Sequence, residues 1–413
     1  MFITDNFVPE SNAPANRTYE HAKAWVNSGC QVTVMTCAPN FPVGRVFEGY
    51  RNAWKTVEYI DGIKVIRVKT YITANKGFVK RILDYASFGL TSAIQGIFVK
   101  KPDIVIGTSP QPFAVVSAWF ITRLRRKPFV FELRDLWPES VTAVSAMNEN
   151  WLLRCFKRFI HYLYRKADLI VSVTESFKTN LIDKGVDPHK IGVIRNGVDL
   201  NVTDLVEQTP DEIRAQYGLP QRCFICGYIG TIGMAHSVDT IIEAAQQCDQ
   251  QALHFLVMGA GAQAESIAQQ TEQLDNVTFI EGKPRQEALA ILKALDASIV
   301  HLKADPLFKD VIPSKIFEVM AFSKPILMGV DGESKDLVVE QAQAGLGFEP
   351  ENAAALCATA ERLYNNQELC QQLSEQGRCY VETHFSRDAL AHNMLKTMEE
   401  LVKKGDNALW QRY

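Results

Sequence analysis

The sequence predicts an α/β protein built as two Rossmann-like domains facing across a cleft, on three observations. At 413 residues the chain is too long to close around one ordinary hydrophobic core. Short apolar segments of strand character alternate with amphipathic segments from end to end, the pattern of parallel sheets covered on both faces. Charge is divided unevenly: residues 1–190 hold 26 Lys and Arg against 16 Asp and Glu, whereas residues 191–413 hold 18 against 31. The halves therefore carry +10 and −13 within a net of −3, a split expected of two domains with different partners.

In the first half the strand candidates are 2–4, 31–37, 64–69, 103–109, 129–133 and 169–173, with helices between them, for example 18–28 and 77–100. The pattern restarts with strands at 224–229, 254–258, 277–280, 298–302 and 325–330. The joint is expected at Asn196-Gly-Val-Asp199 and the polar segment 200–222. This gives domains 1–195 and 196–385, and a last helical segment 386–413 expected to cross back onto the first domain. The first strand is short for a central one, so a few residues are expected to precede Met1. In such sheets ligands bind beyond the carboxyl ends of the strands, and the loops there are where chemistry is sought.

Composition excludes several classes. Nine cysteines are scattered without pairing and no signal segment is evident, which fits a reducing cytosol. Cys223-Phe-Ile-Cys226 has redox or metal spacing but lies in an apolar strand without a second pair. His161, His236 and His301 lack ligand spacing, so no protein-bound metal is expected. No apolar run reaches the ~18 residues of a membrane span. The basic half could meet nucleic acid or an anionic membrane, but no nucleic-acid signature supports the former.

Residues 313–328 are the most informative stretch. Pro313 and Ser314 read as a helix start with Ser314 as N-cap, and Ile316, Phe317, Val319 and Met320 as buried positions. A capping box would need Glu or Gln where Phe317 stands, so the Glu318 carboxylate is free for another task. Ser314 and Lys315 sit where free N–H groups and the helix dipole favour an anion such as a diphosphate. Glu318, one turn further in, suits a neighbouring diol, so the pair suggests a nucleotide. The alternative is an ordinary capped helix followed by a strand.

Other loops compete for attention. Gly227-Tyr-Ile-Gly-Thr-Ile-Gly233 ends a strand, and Gly230 and Gly233 allow close backbone approach, so amides from Thr231 onward could cradle a phosphate or form a plain turn. Gly259-Ala-Gly261 resembles part of a dinucleotide fingerprint, with Ala264 and Glu281 roughly placed, but it follows the second strand of its domain. Glu132-Leu-Arg-Asp-Leu-Trp-Pro-Glu139 has the composition of an active-site loop, unless Arg134 and Asp135 simply pair in a solvated turn. The long polar loop 5–17 leaves the first strand at the same edge. Residues 151–166 form an aromatic, basic helix that reads either as a membrane-surface element or as a core helix with a basic outer face.

Taken together, Asn12-Ala-Pro-Ala-Asn-Arg17, Arg134-Asp-Leu-Trp-Pro-Glu-Ser140, Asn196-Gly-Val-Asp199, Gly230-Thr-Ile-Gly233 and Pro313-Ser-Lys-Ile-Phe-Glu318 resemble the family-4 glycosyltransferases of the GT-B fold over nearly the whole chain. The branch they resemble most is the WbuB-like one, L-fucosamine transferases of bacterial surface-polysaccharide assembly. The resemblance implies a retaining, metal-free transferase with no cofactor beyond its nucleotide-sugar donor. It implies donor binding by Gly230, Thr231, Gly233, Gly282, Lys283, Ser314, Lys315 and Glu318, with Glu318 on the ribose and the base against Gly282-Lys-Pro284. The family's paired acids fall on Asp310 and Glu318, the former one methylene shorter than the usual Glu. Where many members carry an Arg and a Lys after the glycine loop, Thr231, Met234 and His236 stand, which leaves Lys315 as the main cation. Arg134 or Arg17 from the opposite domain could add a second. Asp135, Arg134, Lys315 and Asp310 are the catalytic candidates, and Asn16, Arg17 and Glu139 line the acceptor side.

The donor implied is a UDP-sugar, with N-acetyl-L-fucosamine as its sugar, and the acceptor a polyprenyl diphosphate-linked saccharide in O-antigen or capsule synthesis. The basic domain would be drawn to the inner face of an anionic membrane at about 1 kcal/mol per well-placed basic residue, and no nucleic-acid partner is implied. Competing expectations are a nucleotide-sugar epimerase of the same fold and an inactive donor-binding partner in a polysaccharide-assembly complex.

Overall fold

A computed structural model describes residues 1–10, 12–41, 44–73, 78–136 and 151–410. The chain forms two Rossmann-like α/β units, Met1–Arg195 with Arg387–Tyr413, and Asn196–Ser386.

The first unit contains β1 (Phe2–Ile3), α1 (Ala13–Asn27), β2 (Thr33–Cys37), β3 (Lys55–Ile60), β4 (Ile63–Val68), α2 (Phe78–Ile97), β5 (Val105–Thr108), α3 (Pro112–Arg125), β6 (Phe129–Leu133), α4 (Trp151–Lys166), β7 (Leu169–Ser172), α5 (Glu175–Asp183) and β8 (Ile191–Val193). Its sheet runs β3-β4-β2-β1-β5-β6-β7-β8, and every pairing is parallel except β3 with β4. The central strands are buried along their length, as expected of a sheet covered on both faces. One layer packs Phe88, Val115, Ile121, Ile160 and Leu163 beneath α2, α3 and α4. The opposite layer packs Trp25 of α1 against Met394 and Met398 of the last helix, Arg387–Trp410. There the Trp25 indole donates to the Ala391 carbonyl at 2.9 Å.

Strand β4 answers the expected strand at 64–69, but its hairpin partner β3 was not among the expected strands. Asp61 and Gly62 both take positive φ (47° and 79°), the two-residue turn that matches strand twist, and Ile60 pairs with Ile63 across it. The hairpin's outer strand β3 holds only exposed and half-buried residues, so it lacks the continuous apolar run that marks the others.

The second unit contains α6 (Pro210–Gln216), β9 (Phe224–Ile229), α7 (Asp239–Gln247), β10 (Leu253–Gly259), α8 (Ala264–Thr271), β11 (Val277–Glu281), α9 (Arg285–Ala294), β12 (Ala297–His301), α10 (Lys315–Ala321), β13 (Ile326–Gly329), β14 (Gly345–Gly347), α11 (Ala353–Tyr364) and α12 (Gln367–His384). Its parallel sheet runs β11-β10-β9-β12-β13-β14. The strand order reverses between β9 and β12, so a crevice opens at their carboxyl ends. Grouped by unit, the first carries 32 Lys and Arg against 20 Asp and Glu, the second 12 against 27. Their net charges are therefore +12 and −15.

Candidate active site

The crevice of the second unit is built by the loop after β9, the loop after β10 and the start of α10. Gly230 takes φ +156°, and a Cβ there would stand 2.9 Å from the Lys315 ammonium. Gly259 and Gly261 admit the glycine loop itself: a Cβ would lie 1.8 Å from the Gly230 carbonyl and 2.2 Å from the Ile232 carbonyl, respectively. The two loops are stitched by Gly230 N–H to Met258 O (2.9 Å), Ile232 N–H to Ala260 O (3.0 Å) and Gln263 N–H to Ile232 O (3.1 Å). The fingerprint-like Gly259-Ala-Gly261 thus serves loop packing, which explains glycines at this point without a second nucleotide.

Lys315 is the centre of this site. Its Nζ is buried without a hydrogen-bond partner among the described residues and lies 4.0 Å from the centre of the Tyr228 ring. Burial alone pulls its pKa from the usual 10.5 to about 7. The ring face compensates the buried ammonium only partly. Tyr228 is held by its hydroxyl, which donates to the Thr231 carbonyl at 2.7 Å. His236, also expected near the loop, is kept neutral: burial and the Lys315 charge push its pKa to about 4, and its Nδ1 has no partner.

A clamp behind the loop had no local signal in the sequence. His301, the last residue of β12, donates from Nδ1 to the His236 carbonyl at 2.8 Å and accepts the Glu351 N–H on Nε2 at 2.9 Å. A carbonyl can only accept and an amide N–H only donate, so these contacts fix His301 as the neutral Nδ1–H tautomer. The Glu351 carboxylate in turn accepts Ser237 Oγ and the Ala304 N–H, both at 2.8 Å. The partners are 50 residues or more apart in sequence, beyond any spacing motif.

Two expectations for α10 are corrected. Ser314 occupies the N-cap place but has helical φ and ψ (−61°, −21°), and its side chain makes no cap bond. Pro313 supplies the accepting carbonyl for Ile316 N–H instead, so winding starts a residue earlier. The Glu318 carboxylate is not free: its Oε1 accepts from Arg285 at 2.8 Å, a half-buried ion pair joining the starts of α9 and α10. Arg285 was missed by the sequence reading, although a cation in the first turn of a helix, where the dipole opposes it, is a usable signal. Gly282 and Lys283 are exposed in the loop before α9, Thr231 is exposed, and Gly233 is half-buried. Asp310 ends a short 3-10 turn, where burial and then Glu333 raise its pKa.

In the first unit a second cluster forms at the carboxyl ends of β1, β5 and β6. Arg17 is buried and committed. It donates to Glu132 Oε1 at 3.0 Å and to the carbonyls of Arg195 (2.9 Å) and Ile194 (3.0 Å), so it ties α1 to β6 and β8 rather than waiting as a spare cation. This corrects its expected place on the acceptor side. Arg134 differs: its Nε and Nη1 are buried without partners among the described residues, and burial draws its pKa down to about 10 against the pull of Glu132. The backbone of Arg134 is fixed by its N–H donating to Ser109 Oγ at 2.8 Å. Asp5, after β1, is pushed up to about 6 by burial, with Arg134 opposing. Asn16 is half-buried in the first turns of α1, and Asp135 is half-buried beside Arg134. Trp137, Pro138 and Glu139 lie outside the described residues.

Elsewhere, Cys248, Cys357 and Glu361 bring their donor atoms within 4.8 Å of one another at the end of α7 and on α11, a group that sequence spacing did not suggest. Cys223 and Cys226 are both free thiols, Cys226 fully buried. No helix among the described residues is long and apolar enough to cross a membrane.

Comparison with known proteins covers both units. Residues 15–202 match the family described as Glycosyltransferase Family 4, and residues 210–379 match Glycosyl transferases group 1. WcaI of Escherichia coli strain K12, assigned to colanic acid biosynthesis as a glycosyl transferase, is 25% identical over 371 residues, 86% of this chain and 89% of WcaI. TuaH of Bacillus subtilis strain 168, assigned to teichuronic acid biosynthesis, is 24% identical over 203 residues, 48% of this chain and 49% of TuaH. Among solved structures, Alr3699/HepE of Anabaena in complex with UDP superposes with a TM-score of 0.70 at 14% identity, covering 97% of this chain and 99% of that one. Sucrose-phosphate synthase of Thermosynechococcus elongatus gives 0.75 at 18% identity, with 98% of each chain covered.

Proposed function

We propose, from the premise that this chain belongs to the family-4 glycosyltransferases of the GT-B fold, that it moves a sugar from a UDP-sugar to a polyprenyl diphosphate-linked saccharide. The observation that carries the donor half is the Lys315 ammonium, buried without a partner beside Gly230. A diphosphate carries the charge that answers this cation, at a strand-order reversal where nucleotides are bound in such sheets. Uracil as the base draws support from HepE, which was solved with UDP. Glu318, with one oxygen on Arg285, offers its other oxygen to the ribose hydroxyls, so Arg285 aims the carboxylate. N-acetyl-L-fucosamine is the sugar suggested by the WbuB-like resemblance. The assignments of WcaI and TuaH to surface polysaccharides favour a saccharide acceptor of that kind, as in O-antigen or capsule assembly.

In the reaction, the bond from the anomeric carbon to the β-phosphate oxygen breaks and the acceptor oxygen bonds to that carbon on the same face. The acceptor's proton passes to the departing phosphate, which keeps the anomeric configuration and needs no separate base. Negative charge grows on the leaving diphosphate, so Lys315 and the glycine-loop amides other than those of Gly230 and Ile232 lower the barrier most in the transition state. Asp135 and Arg134 serve the acceptor, the carboxylate orienting its hydroxyl and the guanidinium meeting its phosphate. A lipid-linked acceptor would bring the protein to the inner face of the bacterial membrane.

A thermal-shift panel of UDP, GDP, TDP and their sugars tests the donor. The expected result is a rise with UDP that disappears in Lys315→Ala; a rise with GDP alone overturns the choice of base. Asp135→Ala is expected to abolish transfer with UDP binding nearly intact, and loss of both together would remove Asp135 from the acceptor role.

A further inference from the structure

We infer that Cys248, Cys357 and Glu361 form a zinc(II) site in the second unit, at the end of its sheet remote from the crevice. The inference concerns structure rather than transfer and can fail while the proposed function stands. Cys248 follows the last turn of α7, and Cys357 and Glu361 lie one turn apart on one face of α11. Both thiols point at the same carboxylate oxygen: Cys248 Sγ and Cys357 Sγ each lie 3.8 Å from Glu361 Oε1. All three donor atoms fall within 4.8 Å of one another. A tetrahedral zinc, with bonds of about 2.3 Å to sulfur and about 2.0 Å to oxygen, sets such ligands roughly 3.5 Å apart. Small side-chain shifts therefore let one ion touch all three, with the fourth position left to water.

The surroundings suit a soft cation. Three groups able to carry negative charge face one another, and among the described residues no Lys or Arg pairs with Glu361. Burial, followed by Cys248 and then Glu361, pushes the Cys357 thiol up, so without a cation it keeps its proton. Two sulfurs with one carboxylate select zinc, whereas calcium and magnesium take oxygen ligands. Binding sends both thiol protons to solvent and sets a divalent charge against two thiolates and a carboxylate. The Cys226 thiol of β9 is pushed up by burial, then by Asp296 and by Cys248, Cys370 and Cys357, so four of the nine cysteines gather at one edge of this unit. A ring contact of Phe224 with Tyr364 (6.2 Å) ties the start of β9 to the end of α11, which places that edge at the amino ends of the strands. There the ion staples the ends of α7 and α11, whose starts are joined by Ser237 Oγ on the Glu351 carboxylate. The expectation of no bound metal rested on histidine spacing, whereas Cys248 and Glu361 are 113 residues apart.

The test is titration of the reduced full-length protein with zinc(II) against a chromogenic chelator, with cobalt(II) as an optical reporter. Zinc should bind stoichiometrically, and cobalt should give the sulfur-to-metal charge-transfer band of thiolate ligation. Cys248→Ser with Cys357→Ser should weaken binding by at least about a hundredfold, since loss of even an outer support of a ligand costs about 10–100-fold. Glu361→Gln, which keeps the side-chain volume, should weaken it by about tenfold, and Cys30→Ser with Cys155→Ser should change nothing. Circular dichroism certifies the fold of each variant; if the double Cys variant does not fold, Cys248→Ser alone and Glu361→Gln carry the test. Zinc should also slow the oxidation of the two thiols to a disulfide by hydrogen peroxide. The inference is overturned if the reduced wild type binds no stoichiometric zinc, or if the folded Cys or Glu361 variants bind it as the wild type does. It is equally overturned if zinc leaves peroxide cross-linking of the pair unslowed, the mark of a redox pair only.

Discussion

Two buried cations, one in each unit, are handled in opposite ways. The first unit has a net charge of +12, yet its buried Arg17 is spent on structure, locked to Glu132 and two carbonyls. The second has a net charge of −15, and yet it holds Lys315 buried and unpaired. Net charge therefore does not say where an anion binds. What decides is whether a buried cation already has its partner, because a paired one has no free energy left to offer a ligand, whereas an orphan regains its lost solvation on binding.

The comparison breaks first at Arg17. Arg17→Met leaves Glu132 buried and uncompensated, and should destabilise the first unit by about 3–5 kcal/mol in urea unfolding, with much of the loss recovered when Glu132→Gln is added. A loss below about 1 kcal/mol, the range of a surface pair, would mean that Arg17 is not structural.

At Lys315 the cost should fall on chemistry. Lys315→Ala is expected to lower kcat by about 10²–10³, with ligand-free thermal stability kept or raised, since the removed charge was desolvated without a compensating partner. Equal losses of stability and activity would place Lys315 with Arg17 as a structural cation.

The pH dependence sharpens the same contrast through two opposite signs. The free-state pKa of Lys315, about 7, lies below its unfolded value near 10.5, so between those limits the unfolded chain binds more protons and ligand-free stability rises with pH. A bound diphosphate raises that pKa again, so below pH 7 the ammonium is already present and above it binding must take up a proton. Affinity for UDP-sugar should then fall by up to about tenfold per pH unit above 7, until the pH passes the raised value, as measured by calorimetry in buffers of different ionisation enthalpy. A flat profile would show that the site does not bind through Lys315.

The smallest effect is expected at the Arg285–Glu318 pair. Arg285→Ala should raise KM for the donor by about three- to tenfold with kcat nearly unchanged, the mark of lost ground-state binding. A kcat loss without a KM change would give Arg285 a part in the transition state instead.

The alternation of apolar strands and amphipathic helices made the two-domain α/β fold legible, because strands buried on both faces must be apolar throughout. The hairpin strand Lys55–Ile60 escaped for the complementary reason, since an edge strand lacks that run. Lys315 stood out through its neighbours Pro313 and Ser314, though its burial could not be read from them. Glu318 looked free because its partner Arg285 lies 33 residues away, and the clamp of His301 on His236 and Glu351 spans longer separations still.

By itself, then, the sequence determined the repeating βα plan, the glycines that let backbones meet, and the residue types gathered at the strand ends. Tertiary structure alone decided which charges were spent and which were left over. Arg17 and Lys315 are both cations in glycine- or proline-marked segments, and nothing local separates them. Pairing and desolvation are properties of the packed environment, set by groups distant along the chain. The folded arrangement therefore made one of them a tie and left the other without a partner among the described residues.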